Sequence, residues 1–320
     1  MVDVSTMSGL GDGFYTAPAI RAYVARHGRT LVGTPWPEMF WDDPDVWTAP
    51  HGLNLSHVNE NIQRALLDGS YRATTASFND RTAFRIGYGI GPVVASIARA
   101  SDIEPYSLNQ CLHPAWIRNA EKLLEDVGLE KHRFTLVRPP TLRDEWPAPA
   151  RNPTPKAFRA AWETALDFGA TIAVGKLHRE CLVDPWMPDN AIQRMHGELH
   201  WTTLTALCSM AGYILGSPSF LLPMTMAVGG HGAFIYGAHL APEILMDAAD
   251  RPEIVHITPS PFETCHRKKL DAFKEINPDL VRGRVAAHMG LLFGMTGSAA
   301  GICRPSPSDT IRTTSTDTAG

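Results

Sequence analysis

The sequence has no long uninterrupted apolar segment and no large excess of charge of one sign. Its longest apolar region, residues 204–228, is broken by glycine, serine and proline between residues 216 and 223, which is unlike a membrane-spanning helix. The formal net charge is −4 over 320 residues, which gives no electrostatic reason for tight binding to nucleic acid. We therefore expect no stable membrane insertion, and the net charge does not support DNA as a partner.

Cysteine is scarce, and the sequence contains no CxxC pair. The cysteines are an odd number scattered along the chain: Cys111, Cys181, Cys208, Cys265 and Cys303. This pattern argues against a disulfide framework or a zinc ribbon and favours reduced thiols. The N-terminus also lacks the basic-then-apolar pattern of a signal peptide. Together these features predict a cytoplasmic protein.

Several nucleotide and metal motifs are also missing. There is no Gly-Lys-Ser/Thr of the phosphate-binding loop type, and Gly229-Gly230-His231-Gly232 lacks the GxGxxG context after a strand. His178-Arg179-Glu180 is not followed by Pro-Cys-x-x-Cys, so a zinc deaminase site is rejected. These absences exclude the most easily recognised nucleotide-binding and deaminase sites.

One segment, residues 196–200, has a superficial metal-ligand pattern. His196, Glu198 and His200 would share one face if the segment were a strand, but they lack the spacing of a zinc-binding helix. We favour contact of Glu198 or His200 with a nucleotide or with solvent, and Gly197 belongs to the same candidate loop. We expect no metal site and no resident cofactor.

The most informative segment that is present lies at residues 8–13, Ser-Gly-Leu-Gly-Asp-Gly. A short strand-like run enters it and a helical pattern leaves it, so Asp12 lies where a strand gives way to a helix. Glycine allows close approach of the backbone to a ligand, and this edge is where ligands bind in open α/β sheets. Asp12 either belongs to a ligand site or caps the helix.

Strands and helices alternate along most of the chain, in a composition that is 44% hydrophobic and 19% charged. Strands are predicted at residues 2–4, 29–33, 85–89, 134–137, 171–175, 213–215 and 233–237. Helices are predicted after residue 13 and at residues 116–127, 156–168, 201–210 and 219–228. We assign residues 36–47 to a loop with one helical turn. Such alternation predicts parallel sheets flanked by helices.

The predicted organisation is two α/β domains and a tail. The first domain covers residues 1–133 and the second covers residues 134–303. Residues 304–320 are rich in serine, threonine and proline, which predicts disorder.

The order of landmarks resembles glycosyltransferase family 9, which includes the ADP-heptose–lipopolysaccharide heptosyltransferases. Each landmark is weak alone, but seven occur in the expected order between about residues 8 and 285. They are the opening Gly9-Leu10-Gly11-Asp12 with Pro18-Ala19-Ile20-Arg21, then Asp43-Pro44-Asp45-Val46, Arg85-Ile86-Gly87-Tyr88, the Gly197–Gly216 helix and strand, Ile235-Tyr236-Gly237, Cys265, and Ile276-Asn277-Pro278-Asp279-Leu280-Val281.

The resemblance implies the GT-B fold, which is two Rossmann-like domains with parallel sheets facing a central cleft. It implies metal-independent transfer of a sugar with inversion, with a nucleotide-sugar as co-substrate. The acceptor would contact mainly the first domain and the donor the second. Asp12 matches the acidic residue that family members use as the general base.

Basic residues at strand ends are the candidates for the donor diphosphate. Arg138 directly follows a predicted strand, Arg143 lies in the next loop together with Thr141, and Lys176 follows another strand. Arg143 resembles the cation that family members place before a tryptophan, here Trp146. The alternative for each cation is an ordinary solvated surface position.

The loop that begins at Ser217 departs from the family pattern. Ser217 or Ser219 can cap the following helix, whose free N–H groups suit a phosphate or a ribose. Where heptosyltransferases have an acidic residue and often a histidine, this chain has Pro218-Ser219-Phe220. The donor site is therefore altered, and ADP-heptose is not implied as the donor.

The acceptor side is assigned to Gly11, Gly13, Trp36 and Trp41. Tryptophans interleaved with acids can form a platform on which a sugar or a base stacks, or they can form a small aromatic core. The acceptor is either a glycan of lipopolysaccharide type or a hydroxymethylated base in phage-type DNA. An inert nucleotide- or sugar-binding module on the same fold is the alternative function.

Overall fold

The structure is a computed structural model, and it describes nine stretches of the chain. They are residues 2–6, 9–52, 55–73, 91–143, 149–177, 180–237, 241–245, 253–259 and 275–294. The predicted strand at residues 85–89, the tail at residues 304–320, Trp146 and Cys265 lie outside the described residues.

The first half of the chain builds a parallel three-stranded sheet. Its strands are β1 (Val2–Ser5), β2 (Thr30–Thr34) and β3 (Val46–Pro50), in the order β1-β2-β3. Its helices are α1 (Leu10–His27), α2 (Ser56–Leu67), α3 (Val93–Ser101) and α4 (Pro114–Asp126). Gly128 follows α4 with φ of 69°, a left-handed conformation that glycine adopts readily just after a helix ends.

The sequence-based assignment of residues 36–47 to a loop is wrong at its end. Pro37–Phe40 forms the expected single helical turn, here a 3-10 turn, but β3 already begins at Val46. The strand was overlooked because its residues, Val-Trp-Thr-Ala-Pro, are few and end in proline. Parallel pairing with β2 makes it a strand, and that partner lies elsewhere in the sequence.

The second half of the chain carries more strands and the longer buried helices. Its strands are β4 (Phe134–Val137), β5 (Thr141–Arg143), β6 (Ala170–Val174), β7 (Glu180–Leu182), β8 (Ile192–Arg194), β9 (Tyr213–Gly216), β10 (Gly232–Ile235) and β11 (Ile254–Ile257). Its helices are α5 (Pro155–Phe168), α6 (Trp201–Met210), α7 (Leu221–Ala227), α8 (Pro242–Leu245) and α9 (Pro278–Leu292).

Six of these strands form a parallel sheet in the order β11-β10-β9-β4-β6-β8. The chain starts in the middle at β4, runs outward through β6 and β8, and then returns to add β9, β10 and β11 on the other side. The order therefore reverses between β4 and β9, and a crevice opens beyond the carboxyl ends of strands at such a point. Arg138 follows β4 and Ser217 follows β9, so both lie at this edge.

The two remaining strands, β5 and β7, pair antiparallel as a separate ribbon. They belong to the segments that follow β4 and β6, so the ribbon rises from the carboxyl edge of the large sheet. Its register places Arg143 opposite Glu180. An antiparallel ribbon was not predicted, since strands of three residues are too short to show alternation.

Helices cover both faces of the large sheet. On one face α5 and α9 pack over alternate strand residues such as Val137 and Leu215. On the other face α6 and α7 share one apolar core with helix α1 and the first half of the chain. Phe14 and Trp36 thereby lie in the same buried core as Trp201.

The predicted domain boundary near residue 133 stays a prediction. The strands of the three-stranded sheet all precede this boundary and those of the six-stranded sheet all follow it. Helix α4, however, precedes the boundary and packs against α6, which follows it. Among the described helices, none has the length and apolar character needed to cross a membrane.

Candidate active site

Asp12 lies in the first turn of α1, and Gly9 is the residue before the helix. The Asp12 carboxylate folds back over Gly9, because a Cβ placed on Gly9 would lie 2.6 Å from Asp12 Oδ2. Gly9 therefore makes room for the carboxylate. An acidic group at this end of a helix also interacts favourably with the helix dipole. The position is compatible with capping, and the general-base role of Asp12 stays a prediction.

Gly11 and Gly13 allow other parts of the protein to approach α1 closely. A Cβ on Gly11 would lie 3.1 Å from the Cα of Phe220, at the start of α7. A Cβ on Gly13 would lie 3.0 Å from both Trp36 and Met39. At both glycines the close neighbours are protein atoms. Glycine is therefore required at these positions for close packing between elements.

A buried group of charges lies at the carboxyl edge of the large sheet. Arg138 Nη2 donates to both carboxylate oxygens of Glu180, at 2.9 and 3.0 Å. Arg143 Nε donates to Glu180 Oε1 at 3.3 Å, from the opposite strand of the ribbon. The side chains of Arg138 and Glu180 are only 7% and 6% exposed. The structure thus brings together two of the three predicted phosphate-binding cations.

The charges in this group change each other's pKa values. Burial alone would raise the pKa of Glu180, but Arg138 and Arg143 outweigh it and hold this pKa at about 2. Burial lowers the pKa of Arg143, and the nearby positive charges of Arg138 and Arg151 lower it further. Two guanidinium groups, those of Arg138 and Arg143, therefore pair with one carboxylate, and the excess positive charge suits an anion such as a phosphate.

Phe220 connects this charged group to the beginning of α1. The Arg138 guanidinium lies over the Phe220 ring, 4.8 Å from its centroid, which is a cation–π distance. The backbone of Phe220 is also the atom group nearest to Gly11. Gly11 directly precedes Asp12, so Phe220 contacts both the cation cluster and the residue next to the predicted base.

Polar residues beside the cluster form a connected network. Asn152 Nδ2 donates to the carbonyl oxygen of Thr141 at 3.0 Å, and Ser217 Oγ donates to Asn152 Oδ1 at 3.3 Å. Arg138 Nη2 lies 3.4 Å from Thr141 Oγ1. Ser219 Oγ accepts from the N–H of Leu221 at 3.3 Å, which occupies it at the start of α7. Thr141 and Ser217 thus lie together with the arginines.

Lys176 lies elsewhere, against the first half of the chain. Its Nζ forms an ion pair with Glu60 on α2. The next residue of α2, Asn61, accepts a hydrogen bond at Oδ1 from His200 Nε2 at 3.1 Å. Lys176 and His200 therefore form a polar seam with α2, here called the α2 seam, and no hydrogen bond links them to the described arginine cluster.

His200 acts as the cap of α6 in its neutral form. Its Nδ1 accepts from the N–H of Thr202, while the hydrogen bond to the side-chain oxygen Oδ1 of Asn61 requires a proton on Nε2. Burial lowers the pKa of His200 to about 3, and the positive charge of Arg64 acts in the same direction. The imidazole is thus held neutral by its surroundings.

The segment at residues 196–200 is not a strand with three aligned ligands. Gly197 has φ of 78°, and the exposed Glu198 carboxylate accepts from the N–H of His196 at 2.7 Å. Across the described ranges, no group of three or more histidine, cysteine and acidic side chains has a geometry suited to a metal ion.

The tryptophans near residues 36–47 do not form one surface. Trp36 is 3% exposed and lies edge-on to Trp201 at 6.0 Å between ring centroids. Trp41 is half-buried, donates to the Cys111 carbonyl oxygen at 3.0 Å and lies against His113. Trp47 is exposed beneath Arg29. Trp36 thus belongs to a small aromatic core, which was the alternative interpretation. Trp41 is the tryptophan that can still contribute to an acceptor surface.

Sequence reasoning missed Glu180, Asn152 and Arg151. Glu180 was considered only as part of a rejected zinc motif, and Asn152 and Arg151 lie in a proline-rich loop without periodicity. Glu180 and Asn152 matter through hydrogen bonds with Arg138 and Thr141, and Arg151 through the effect of its charge on Arg143. No local pattern in the sequence signals such contacts.

Comparisons with known proteins identify the fold. No protein-family model matches the chain, and no curated protein matches it in sequence. Among solved structures, a family 9 glycosyl transferase from Veillonella parvula is similar, with a TM-score of 0.59 at 10% identity, over 89% of this chain and 96% of that one.

Two structures from Escherichia coli are similar as well. ADP-heptose lps heptosyltransferase II matches with a TM-score of 0.55 at 14% identity, over 89% of this chain and 97% of that one. The iron-containing dodecameric glycosyltransferase TibC, from an enterotoxigenic strain, matches with a TM-score of 0.54 at 12% identity, over 91% of this chain and 74% of that one. At such identities the similarity establishes the fold alone. The chain therefore has the GT-B fold of family 9 glycosyltransferase structures, as the resemblance in sequence implied.

Proposed function

We propose that this protein is a glycosyltransferase that moves a sugar from a nucleotide-sugar to an acceptor hydroxyl, with inversion and without a metal ion. The similar structures, by their names, are glycosyltransferases, and one is named for ADP-heptose. Fold alone does not assign a reaction, so the proposal depends on the residues of the site.

The observation that carries the proposal is the position of Phe220. Its ring lies under the Arg138 guanidinium, and its Cα packs against Gly11, the residue before Asp12. Phe220 thereby contacts both the cationic cluster and the start of α1, where Asp12 lies. Sugar transfer needs both groups close together, since the leaving diphosphate gains negative charge while the acceptor hydroxyl loses its proton.

In the proposed reaction, Asp12 takes the proton of the acceptor hydroxyl as its oxygen attacks the anomeric carbon. The bond from that carbon to the diphosphate oxygen breaks, and the electron pair stays on the diphosphate. Arg138 and Arg143 then stabilise the departing nucleoside diphosphate, which carries one more negative charge than it did in the donor. Attack opposite to the leaving group inverts the anomeric centre.

The remaining predicted residues are proposed to act around this pair. Thr141 and Ser217 lie beside the arginines and suit the phosphates or the ribose. Lys176 and His200 contact α2, and Gly197 and Glu198 lie in the loop before His200; we propose that all four contribute to donor binding. Ser219 and Phe220 would border the donor, and Trp41 the acceptor.

The acceptor is proposed to be a glycan hydroxyl of lipopolysaccharide type or a hydroxymethylated base in DNA. The first follows from the family resemblance. The second stays open because the donor loop departs from the family pattern, while the net charge of −4 weighs against it. A cytoplasmic location is part of the proposal, because nucleotide-sugars are the co-substrates and no other cofactor is proposed.

The test is a thermal-shift screen against ADP-, GDP-, UDP- and CMP-sugars, followed by turnover assays with Asp12→Asn. A ligand at 100 times its Kd adds about 2.7 kcal/mol to the apparent stability. We expect one nucleotide class to stabilise both wild type and Asp12→Asn without added metal, and only wild type to turn over.

Asp102→Asn is the matched control. Asp102 is exposed, ends α3 with φ of 54°, and Asn accepts such a conformation readily. Near-full turnover by Asp12→Asn would exclude Asp12 as the base. Donor binding without turnover of any acceptor by wild type would favour the inert binding module.

A further inference from the structure

Glu180 is a buried carboxylate to which the proposed reaction gives no role. It begins β7 and faces Arg143 across the ribbon, and both of its oxygens accept from Arg138. Its side chain is 6% exposed. Since a buried charge is costly unless it is well paired, the position of Glu180 is closely tied to the two arginines.

The contacts of Glu180 leave part of each guanidinium unused. Arg138 meets Glu180 through Nη2, and Arg143 meets it through Nε. To the extent that the structure describes the chain, Arg138 Nε and Nη1 and both Nη groups of Arg143 make no hydrogen bond. Phe220 covers one face of Arg138. The Arg138 guanidinium is thus held along one edge by Glu180 and on one face by Phe220, and its remaining N–H donors lie along its other edges.

Charge alone would make Glu180 unfavourable for binding an anion. It neutralises one of the two positive charges that Arg138 and Arg143 bring to the site. Its benefit must therefore come from geometry: guanidinium groups bind phosphate well when their planar donors are held in a fixed direction.

We propose that Glu180 is a positioning residue, which holds Arg138 and Arg143 so that their remaining N–H groups converge on one phosphate-bearing ligand. This inference rests on the proposed function, because that ligand is the nucleotide diphosphate of the donor. Glu180 itself does not contact the ligand.

Electrostatics and positioning make opposite predictions for Glu180→Gln. Removing a negative charge from a cationic site strengthens anion binding if charge decides affinity. If positioning decides, the neutral amide holds the arginines less firmly and binding weakens. The experiment is calorimetric titration of inorganic pyrophosphate and of ADP into the full chain at fixed ionic strength.

We expect Glu180→Gln to bind both probes at least about tenfold more weakly than wild type, which corresponds to about 1.4 kcal/mol. Equal or tighter binding would overturn the inference and leave the proposed function standing. If wild type binds neither probe, the phosphate site of the proposed function is refuted, and Glu180 has nothing to position. The two failures are thus distinguishable.

Two further variants exclude a general effect on folding. Glu180→Asp keeps the charge but retracts the carboxylate by one methylene. If Glu180 positions the arginines, this variant binds pyrophosphate more weakly than wild type; if only its charge matters, the affinity is unchanged. In an Arg143→Gln background, Glu180→Gln is expected to cost less affinity than in wild type, whereas a loss through global structure would persist undiminished.

The matched control is Glu163→Gln, which also breaks a glutamate–arginine pair, here with Arg282 on an exposed surface. We expect it to leave the affinity for pyrophosphate unchanged. A loss equal to that of Glu180→Gln would attribute both effects to changes outside the site and overturn the inference.

Discussion

Tyr15 donates a buried hydrogen bond of 2.8 Å to the carbonyl oxygen of Leu245, although 230 positions separate the two residues in the sequence. Tyr15 lies one turn after Asp12 on α1, and Leu245 ends α8 in the second half of the chain. Burial raises the pKa of Tyr15, and the negative charge of Asp12 raises it further. The phenol therefore stays protonated and fixes the start of α1 to the second half.

Replacing Tyr15 with phenylalanine tests this link. The ring remains, but the buried carbonyl of Leu245 loses its donor, and an unsatisfied buried group of this kind costs about 1–3 kcal/mol. We expect the free energy of unfolding, measured by urea denaturation, to fall by that amount. A change within about 0.5 kcal/mol, typical of surface substitutions, would contradict the link.

Gly11→Ala tests the close packing between α1 and α7. The added methyl would lie 3.1 Å from the Cα of Phe220, and overpacking against a backbone costs about 1–3 kcal/mol. We expect lower stability and weaker binding of pyrophosphate, because Phe220 also supports Arg138.

Gly283→Ala is the control for that substitution. Gly283 lies within α9, and a Cβ there has no neighbour within 4 Å. Alanine in a helix interior is about 0.5–1 kcal/mol more stable than glycine. We therefore expect this variant to gain stability, so that equal losses at both positions would exclude packing as the cause at Gly11.

His200 gives a pH dependence of known sign. Its pKa in the folded protein, about 3, lies below the ordinary value of 6.5. The unfolded chain therefore binds the proton more readily, and the stability due to neutral His200 is complete above pH 6.5 and is lost as the pH falls toward 3. Protonation at Nδ1 would also remove the acceptor that caps α6.

His200→Asn removes this titration while keeping a residue that caps helices well. We expect the stability of wild type relative to this variant to be greatest above pH 6.5 and to shrink as the pH is lowered. Chemical denaturation at a series of pH values measures the difference. A difference that is constant from pH 7 to pH 4 would be inconsistent with a neutral, buried His200.

The ion pair between Lys176 and Glu60 is expected to contribute little to stability. The two side chains are 30% and 41% exposed, and double-mutant cycles on such pairs give about 0.2–1 kcal/mol. A cycle of Lys176→Met and Glu60→Gln is expected to fall in this range and to decrease with added salt. A coupling above about 2 kcal/mol would instead indicate a desolvated contact between the halves.

Local patterns predicted about half of the described strands and helices. The apolar faces of α4 and α5, with Gly128 and Gly169 after them, were readable because a helix repeats every few residues. The buried strands β4 and β6 were readable as short apolar runs between turn residues. Helix α2 was not assigned, because its sequence is polar and its few buried residues give weak periodicity.

The candidate site could be predicted only in part from the sequence. The sequence by itself determined that Asp12 follows a strand and begins a helix, and that Arg138 follows another strand, since both depend on neighbouring residues. Tertiary structure alone decided that Glu180 holds Arg138 and Arg143, that Lys176 and His200 meet α2, and that Phe220 lies between Arg138 and Gly11. These contacts join residues far apart in the chain, and their geometry is set by the packing of whole elements, which no local pattern encodes.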